Sequence, residues 1–356
     1  MKILHISRTM GQGGAEKVVM QLCCDNNEHE QFVASCGGIH VAELEKHGVK
    51  HFMIPDIDKK DPVLMIKTLF ALIRIVKKEH IDIIHTHHRM AAFYGKLIKI
   101  ITGVKHVYTA HNVFYDKVKL MNFALDGALI IAVGNGVRNN LVDDYGIMPE
   151  RVNVINNTIK PVFTGEKNIE LEALKKNGKF LVGSIGRISE QKGMDIFIKA
   201  IHTAREENDR ITGVIIGDGE DREEMESLVR EMSLTQGIVF LGYQSAVLDL
   251  INQLDFVVLS SRWEGLPLTP IEVFSQGKTI IASDISGNNE VVSDGYNGLL
   301  CQKDDIADFA EKILLLSRDE KLKTELEKNA GYTYKTEYDY GTFIKKYNEV
   351  YLSLEN

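Results

Sequence analysis

The stretch from Ser260 to Leu299 reads SSRWEGLPLTPIEVFSQGKTIIASDISGNNEVVSDGYNGL, and it decides how the rest of the chain is interpreted. It follows a continuous apolar run, Phe256–Leu259, and contains a second run, Thr279–Ala282. Short apolar runs of this kind are typical of strands buried on both faces in a parallel sheet. The stretch therefore predicts an α/β domain in which a loop and a helix join two neighbouring parallel strands.

Two acids, Glu264 and Glu272, lie between these strands, eight positions apart. On one continuous helix this spacing would put them about 80° apart around the axis, and the prolines between them disfavour such a helix. We expect Glu264 on the loop that leaves the first strand and Glu272 in the first turn of the following helix. Both carboxylates then lie at the carboxyl end of a strand, where open α/β sheets bind ligands. The alternative is structural: Thr269 and Glu272 form a capping box with Pro270 at the first helical position, and Glu264 is a solvated loop acid.

The length of 356 residues predicts two domains, because it exceeds what one core usually supports. A composition of 44% hydrophobic and 26% charged residues is ordinary for a globular chain, and no apolar run has transmembrane length. The first residues are too short and polar for a signal peptide. None of the four cysteines has CxxC spacing, so we expect a reduced, cytoplasmic protein without a zinc site.

The charge is divided unevenly along the chain. Residues 1–160 contain 20 Lys and Arg against 16 Asp and Glu, whereas the remainder contains 22 against 34. This asymmetry favours two domains with different partners. A mildly basic first half in an acidic protein argues against nucleic acid as the main ligand, and it fits an anionic membrane surface or a phosphate-bearing acceptor.

A glycine-rich loop at residues 11–14 follows the first strand, Lys2–Ser7, and opens a helix. The glycines, including Gly13 and Gly14, let backbone amides approach a phosphate or hydroxyl group closely. The pattern is GxGG rather than GxGxxG, and the next strand ends without a ribose-binding acid, so we exclude a dinucleotide site. A tight turn with no ligand is the structural alternative.

Histidines follow two strands of the first half. His111 stands directly after a strand that ends near Ala110, a position suited to function, although a structural histidine is the alternative. His85 and His87 lie on one side of the chain after the strand Ile81–Ile84, but no cysteine or carboxylate beyond Asp82 completes a tetrahedral ligand set, so we expect no metal there.

A DxD pair, Asp56 and Asp58, is interpreted as a turn rather than a metal site, because it stands in a charged loop. The amphipathic helix Pro62–Glu79 follows, with an apolar face for the core and a basic side that could graze a membrane.

The second half begins after a polar segment. The strand Phe180–Ile185 is followed by a GRxxxxKG loop and the helix Met194–Glu207. Arg187 offers a planar fork of donors and Lys192 a point charge, both beside a helix N-terminus, and this combination suits a diphosphate. A solvated basic loop is the alternative.

The motifs together resemble those of the retaining nucleotide-sugar glycosyltransferases of family 4, which have the GT-B fold. The resemblance covers nearly the whole chain and rests on the GGAE of residues 13–16, the GRxxxxKG of residues 186–193, the E-G-L-P-L-x-P-x-E of residues 264–272, Gly287, Glu290 and the D-G-x-N-G-L of residues 294–299.

This resemblance implies an α/β fold of two Rossmann-like domains with parallel sheets facing a central cleft. The expected parts are an N-terminal acceptor-binding domain at residues 1–160, a linker at 161–178 and a C-terminal nucleotide-sugar-binding domain at 179–337. Residues 338–356 are expected to form a helix that packs back on the first domain. Asn157 stands where the family usually has glycine in a turn, and we expect the turn to survive because asparagine tolerates positive φ.

The resemblance also implies roles for individual residues. Arg187 and Lys192 would hold the pyrophosphate, Glu264 and His111 would contact the donor sugar, and Glu272 would accept from the ribose hydroxyls. Other residues expected at the donor site are Gly13, Gly14, Gly217, Tyr243, Gly265 and Leu266. The catalytic set is then His111, Glu264, Arg187 and Lys192.

The function implied is retaining transfer of a sugar from a nucleotide-sugar, with UDP favoured, to a glycan or lipid-linked acceptor in bacterial cell-surface polysaccharide synthesis. We expect no cofactor and no metal, a cytoplasmic location at the inner face of the membrane, and peripheral contact with anionic lipid. A sugar-nucleotide epimerase of the same fold and a noncatalytic nucleotide-binding protein are the alternatives. The donor sugar, the acceptor, the linkage and the oligomeric state are not determined by the sequence.

Overall fold

The computed structural model describes residues 1–11 and 13–355, so Gln12 of the glycine loop and Asn356 of the expected closing segment lie outside the described residues. The chain divides into two compact units. Unit 1 comprises Met1–Ile159 with Tyr340–Asn356, and unit 2 comprises Lys160–Asp339. The α/β class with two Rossmann-like sheets is therefore confirmed, and so is the return of the last helix to the first unit.

The sheet of unit 1 is parallel throughout and has the strand order β3-β2-β1-β4-β5-β6-β7. Its strands are β1 (Lys2–Ile6), β2 (Glu30–Ser35), β3 (Lys50–Met53), β4 (Ile83–Thr86), β5 (Lys105–Ala110), β6 (Leu129–Ala132) and β7 (Val152–Val154). Its helices are α1 (Gly14–Cys24), α2 (Val41–Lys46), α3 (Pro62–Glu79), α4 (Arg89–Thr102), α5 (Val118–Leu125) and α6 (Asn135–Asn139), which continues as a π-helical turn at Asn140–Asp144; a short 3₁₀ turn, Pro149–Arg151, precedes β7.

The sheet of unit 2 is also parallel and has the order β10-β9-β8-β11-β12-β13. Its strands are β8 (Phe180–Ile185), β9 (Ile211–Ile216), β10 (Ile238–Gly242), β11 (Phe256–Leu259), β12 (Ile280–Ser283) and β13 (Leu299–Cys301). Its helices are α7 (Ile169–Lys176), α8 (Met194–Glu207), α9 (Arg222–Glu231), α10 (Val247–Gln253), α11 (Leu268–Ser275), α12 (Ser286–Asn289), α13 (Ile306–Arg318) and α14 (Glu320–Glu337), with a 3₁₀ turn at Glu190–Lys192.

Both faces of each sheet are covered, as the unbroken apolar strands require. In unit 1, one face packs against helices that carry Leu72, Tyr94 and Ile98. The other face packs against α15 (Tyr340–Leu352), whose buried aromatic side chains complete a core containing Ile3 and Val107. Unit 2 has its own core, built from the apolar faces of α8 and α13 around β8, β9 and β11.

Helix starts follow their local signals. The α3 helix begins where the Leu64 amide donates to Asp61 Oδ1 at 2.7 Å and Pro62 occupies the first turn. The α13 helix begins at Asp305, whose carboxylate accepts from two amides of the first turn. Each cap of this type stabilises a helix by about 1 kcal/mol.

Two local expectations are wrong. The segment expected as a linker contains α7, because Asn168 caps it and the side chain of Leu171 is fully buried. Asp249 also fixes the chain before α7, accepting from the Thr164 and Gly165 amides. Asn157 does not adopt a positive φ; its amide instead donates to the Val133 carbonyl at 3.2 Å in extended continuation of the sheet.

Candidate functional site

The strand order of unit 2 reverses between β8 and β11, and this places a crevice at their carboxyl ends. The connections that leave the two strands run to opposite sides of the sheet at such a switch point, where ligands bind in open α/β folds. The loop after β8 contains residues 186–193, and the loop after β11 contains residues 260–267. The two motifs singled out in the sequence therefore meet at one place.

An ion pair joins these loops. Lys192 Nζ lies 2.5 Å from Glu264 Oε1, and the side chains are 17% and 7% exposed. Ser261 Oγ donates to the same carboxylate oxygen at 2.7 Å, and Gln191 Nε2 lies 3.5 Å from the other oxygen. The alternative of a solvated loop acid is wrong for Glu264, because its carboxylate is buried and held from both loops.

Arg187 lies on the same loop as Lys192, exposed, and in the described part of the chain it makes no ion pair. Its guanidinium is thus available for a ligand. The loop ends at Gly193, the N-cap of α8, which has φ 59°. A Cβ there would lie 2.2 Å from the Ser260 carbonyl oxygen, so only glycine allows this approach.

Arg262, which the sequence analysis did not select, links the loop after β11 to the loop after β8 and to the start of α8. Its guanidinium donates to both carboxylate oxygens of Asp195 at 3.0 Å, to Asp304 at 3.0 Å and to the Glu190 carbonyl at 2.8 Å. A planar fork is well suited to such a set of acceptors. The position of Arg262, two residues before Glu264, is the sequence feature that could have identified it as part of the site.

Glu272 lies in α11 and is 6% exposed. The helix begins at Leu268 after the N-cap Pro267, and no side chain caps it. The capping-box alternative with Thr269 is therefore wrong. Glu272 is the fifth residue of α11, so the prediction that it lies in the first turn is also wrong. A role for its buried carboxylate as an acceptor of ligand hydrogen bonds stays a prediction.

Close backbone packing shapes the remainder of this edge. A Cβ on Gly287 would lie 2.5 Å from the Gly265 carbonyl oxygen, so α12 abuts the loop that carries Glu264. Leu266, 5% exposed, anchors the next position of that loop. Gly217, with φ 144°, brings the turn after β9 against the Gly186 carbonyl.

Tyr243 stands apart from this group. It follows β10, the edge strand two positions from β8, and its side chain is 46% exposed. Within unit 2 the structure thus brings Lys192, Glu264, Gly265 and Gly217 close to the switch point, with Tyr243 at the border of the sheet.

The remaining predicted residues belong to unit 1. Gly13 is the N-cap of α1 and Gly14 its first residue, and a Cβ on Gly13 would collide with the Glu16 carboxylate. His111 lies directly after β5, with its Nε2 3.2 Å from His87 Nδ1. Burial lowers the pKa of His111 to about 3, so the imidazole is neutral.

Two other sequence interpretations concern possible metal ligands. Asp56 and Asp58 both form ion pairs with Arg8, at 3.0 and 3.2 Å. This DxD pair therefore lies in a loop that the ion pairs with Arg8 hold in place. His85 and His87 are fully buried, and the sequence reasoning missed a third member, His5 on β1. One ring nitrogen from each of these histidines lies within 4.8 Å of the others.

Comparison with known proteins identifies the class. The protein-family model "Glycosyltransferase Family 4" matches residues 12–162 of the sequence, and the family model "Glycosyl transferases group 1" matches residues 166–332. In Escherichia coli, the UDP-Gal:alpha-D-GlcNAc-diphosphoundecaprenol alpha-1,3-galactosyltransferase is 26% identical over 304 residues, 79% of this chain and 78% of that protein. In Campylobacter jejuni, the N,N'-diacetylbacillosaminyl-diphospho-undecaprenol alpha-1,3-N-acetylgalactosaminyltransferase is 25% identical over 317 residues, 82% of each chain.

Solved structures agree on the fold. Anabaena Alr3699/HepE in complex with UDP superposes with a TM-score of 0.86 at 21% identity, covering 99% of this chain and 100% of that one. WaaG, a glycosyltransferase of lipopolysaccharide biosynthesis, gives 0.78 at 14% identity, covering 98% and 99%. The GT-B glycosyltransferases have two parallel Rossmann-like sheets of this kind. The chain belongs to the family 4 glycosyltransferases, and it is an enzyme that transfers sugars.

Among the described residues, no helix combines the length and apolar character needed to cross a lipid bilayer.

Proposed function

We propose that this chain is a retaining glycosyltransferase that moves a sugar from a UDP-sugar to a lipid-linked acceptor in bacterial cell-surface polysaccharide synthesis. The observation that supports a donor site here is the Lys192–Glu264 ion pair at the switch point of unit 2, with Arg187 on the same loop as Lys192. These groups offer two cations for a diphosphate and one carboxylate for sugar hydroxyls.

The relatives support the choice of donor and acceptor. The name of the Escherichia coli protein contains both UDP-Gal and a diphosphoundecaprenol acceptor, and that of the Campylobacter jejuni protein contains diphospho-undecaprenol. The Anabaena protein was crystallised with UDP and with UDP-glucose. A uridine nucleotide and a polyprenyl diphosphate acceptor are therefore the first compounds to test.

The proposed mechanism uses the chain's own charges. Transfer breaks the bond between the sugar C1 and the β-phosphate oxygen, and negative charge develops on the leaving diphosphate while the sugar becomes oxocarbenium-like. Arg187, Lys192 and the amides at the start of α8 would stabilise the diphosphate without a divalent ion. Glu264 and His111 would bind sugar hydroxyls, and Glu272 would accept from the ribose.

The first test is calorimetric titration with UDP and with GDP in the presence of a metal chelator. We expect one nucleotide, UDP, to bind in chelator. Binding of neither nucleotide in chelator, restored by a divalent ion, would refute the metal-independent site. Retention is checked by the anomeric configuration of the product, determined by NMR against that of the donor.

Glu272→Ala separates a ribose-binding role from a structural one. If Glu272 accepts from the ribose, the variant loses UDP affinity by about 10- to 100-fold, as expected for a charged hydrogen bond worth about 1.5–3 kcal/mol. Loss of stability with unchanged UDP affinity would assign Glu272 to the fold alone.

The alternatives differ in turnover. An epimerase would act on the donor without any acceptor and release a free sugar, and a noncatalytic nucleotide-binding protein would bind UDP without consuming UDP-sugar. Product analysis with and without acceptor distinguishes the three.

We also propose that α3 contacts anionic lipid. Its outer face exposes Val63, Ile66 and Phe70, which are 61%, 56% and 68% exposed, and the same face carries Arg74 and Lys77. Apolar side chains flanked by cations are typical of helices that lie in a membrane interface. We expect partial sedimentation with anionic liposomes at low salt, and loss of sedimentation in Phe70→Glu.

The matched control for this experiment is Phe163→Glu in unit 2, where the phenylalanine is 56% exposed but lies outside α3. That variant should sediment like the wild type. No sedimentation of the wild-type protein with phosphatidylglycerol vesicles at low salt would remove the membrane proposal.

A further inference from the structure

A row of four buried or half-buried side chains crosses the sheet of unit 1, one from each of four neighbouring strands. Gln31 lies on β2, His5 on β1, His87 directly after β4 and His111 directly after β5. Gln31 pairs with Ile3, which lies two positions before His5. His5 pairs in turn with His85, which lies two positions before His87. Because side chains alternate between faces with a period of two, the row stays on one face and advances towards the carboxyl end of the sheet.

Hydrogen bonds join the four side chains end to end. His5 Nε2 lies 3.0 Å from Gln31 Oε1, and His5 Nδ1 lies 3.0 Å from His87 Nε2. His87 Nδ1 lies 3.2 Å from His111 Nε2. The amide and the three imidazoles thus form one continuous chain of donors and acceptors.

The ring geometry shows that these contacts are in-plane hydrogen bonds. The rings of His5 and His87 are inclined by 19° with centroids 5.2 Å apart, and those of His87 and His111 by 29° with centroids 5.4 Å apart. If two ring nitrogens point straight at each other, the distance between the ring centroids equals the nitrogen–nitrogen distance plus the radius of each ring. Both centroid separations match this sum. The nitrogens therefore point at one another, and the rings are not stacked face to face.

This arrangement fixes the position of every proton in the row. Burial lowers the pKa of His5 to about 4 and that of His87 well below its ordinary value, so the imidazoles are neutral near pH 7. A neutral imidazole has one N–H and one acceptor nitrogen. The Gln31 amide faces His5 with its oxygen, which only accepts, while its Nε2 is buried without a partner among the described residues. In this amide orientation His5 carries its proton on Nε2, and the same choice passes to His87 and then to His111.

We propose that Gln31, His5 and His87 are positioning residues that hold His111 as the Nε2–H tautomer, with Nδ1 left as a hydrogen-bond acceptor. In the described part of the chain, His111 Nδ1 is buried and has no hydrogen-bond partner. A substrate hydroxyl that reaches this nitrogen must therefore donate its hydrogen. That last step rests on the proposed glycosyl transfer, whereas the tautomer itself does not.

A metal site built from the same residues fits the geometry less well. Zinc is bound tetrahedrally, so the lone pairs of its ligand nitrogens converge on the ion, whereas His5 Nδ1 and His87 Nε2 point at one another at 3.0 Å. The neighbouring His85 uses both of its nitrogens, each at 2.8 Å, on the hydroxyl groups of Tyr351 and Thr109. Zinc binding is therefore one of the outcomes that the experiment must distinguish.

The experiment is NMR of the full chain labelled with ¹⁵N-histidine, because two-bond ¹H–¹⁵N correlations report which ring nitrogen carries the proton. Single His→Gln variants assign the signals. In the wild type at pH 7.5 we expect Nε2–H for His5, His87 and His111. In Gln31→Met, which removes the oxygen acceptor while keeping the length of the side chain, we expect mixed tautomers in all three.

Two controls accompany this variant. His106 is buried on β5, with Nε2 2.8 Å from Thr86 Oγ1, and lies outside the row, so its signals should not change. Gln21→Met alters another glutamine of unit 1, whose amide donates to the Thr158 carbonyl, and should leave the row's tautomers intact.

A wild-type spectrum with the proton on Nδ1 of His111 would overturn the proposal, and this holds even if Gln31→Met fails to fold. Unchanged tautomers in a folded Gln31→Met would overturn it too, as would stoichiometric zinc whose removal by chelator shifts the His5 and His87 signals. With UDP-sugar and acceptor, kcat/KM should fall in proportion to the remaining Nε2–H fraction of His111, about twofold for an equal mixture. The expected tautomers in a protein without transferase activity would reject the proposed function and leave the row intact.

Discussion

Replacement of Lys192 by methionine should separate the structural and the ligand-binding roles of its ion pair with Glu264. The substitution keeps the apolar stem of the side chain and removes only its charge. The Glu264 carboxylate, 7% exposed at its side chain, is then left with the Ser261 hydroxyl at 2.7 Å and the distant Gln191 amide at 3.5 Å. Neither group supplies a compensating charge.

The expected magnitudes follow from this burial. Removing one partner of a buried ion pair costs about 3 kcal/mol or more, which corresponds to a fall in Tm of about 6–12 °C for a unit of this size. Loss of a charged hydrogen bond to the diphosphate should weaken UDP binding by about 10- to 100-fold. In the double variant Lys192→Met/Glu264→Gln no charge remains buried, so stability should return to within about 1 kcal/mol of the wild type while UDP affinity stays low.

The assay combines urea unfolding followed by circular dichroism with UDP titration calorimetry in chelator. The matched control is Lys199→Met on α8, which follows the loop of Lys192; Lys199 forms a partly exposed pair with Asp195 at 3.5 Å, and its loss should cost about 0.5 kcal/mol or less. If Lys192→Met were as stable as that control and bound UDP like the wild type, the reasoning about the pair would be refuted. Recovery of UDP affinity in the double variant would equally refute a direct contact with the diphosphate.

Two further predictions concern other parts of the fold. Gly287→Ala should weaken donor binding and lower the Tm, because its Cβ would lie 2.5 Å from the Gly265 carbonyl oxygen, whereas Gly331→Ala in α14, with only an ordinary 3.7 Å contact, should stabilise the chain by about 0.5–1 kcal/mol; equal UDP affinity and Tm in the two variants would contradict this. Burial lowers the pKa of His5 to about 4 and that of His106 to about 3, both below the value of 6.5 for the unfolded chain, so their contribution to stability is full above about pH 6.5 and is lost progressively as the pH falls to about 4 for His5 and about 3 for His106. Each contributes a slope of up to about 1.4 kcal/mol per pH unit in this range; urea unfolding at pH 7.5, 6 and 5 should show it, His106→Gln should reduce it, and a flat profile would show that these imidazoles are not held neutral.

Much of the fold could be predicted because strong local signals coincide with tertiary requirements. Asp61 and Pro62 mark the start of α3, and the Pro62–Glu79 bounds predicted for it are those observed. The continuous apolar runs of β8 and β11 identify strands buried on both faces, and their bounds also agree with the structure. The spacing of the glycines and charges around Lys192 then indicates what the edge between these strands can bind.

The errors arose where a tertiary contact decides the backbone. Asn157 keeps negative φ because its amide continues the sheet hydrogen bonding to Val133, and nothing in the local sequence signals that partner. Thr269 does not cap α11 because the helix begins two residues earlier than predicted, at Leu268 after Pro267. The role of Arg262 depends on two acids more than 40 residues away in one case and 67 in the other, so spacing alone could not reveal it.

The histidine row likewise depends on tertiary contacts that the local sequence does not indicate. His85 and His87 were recognised from their alternation, but Gln31 and His5 belong to other strands and enter only through the sheet register. A single polar side chain in an apolar strand is the signal that could have pointed to His5. Such a residue needs a buried partner, and the partner can be found only when the strand order is known.

The return of α15 to unit 1 has a consequence for synthesis on the ribosome. The strands of the first sheet are complete at Val154, yet Tyr351, which bonds His85 and fills the core beside Ile3, is made almost 200 residues later. At about 5–20 residues per second, the nascent first unit must wait roughly 10–40 s with an open apolar face. Unit 2, although begun second, is complete in the chain before α15 is made, so the half of the enzyme that is translated earliest is the last to receive all of its core residues.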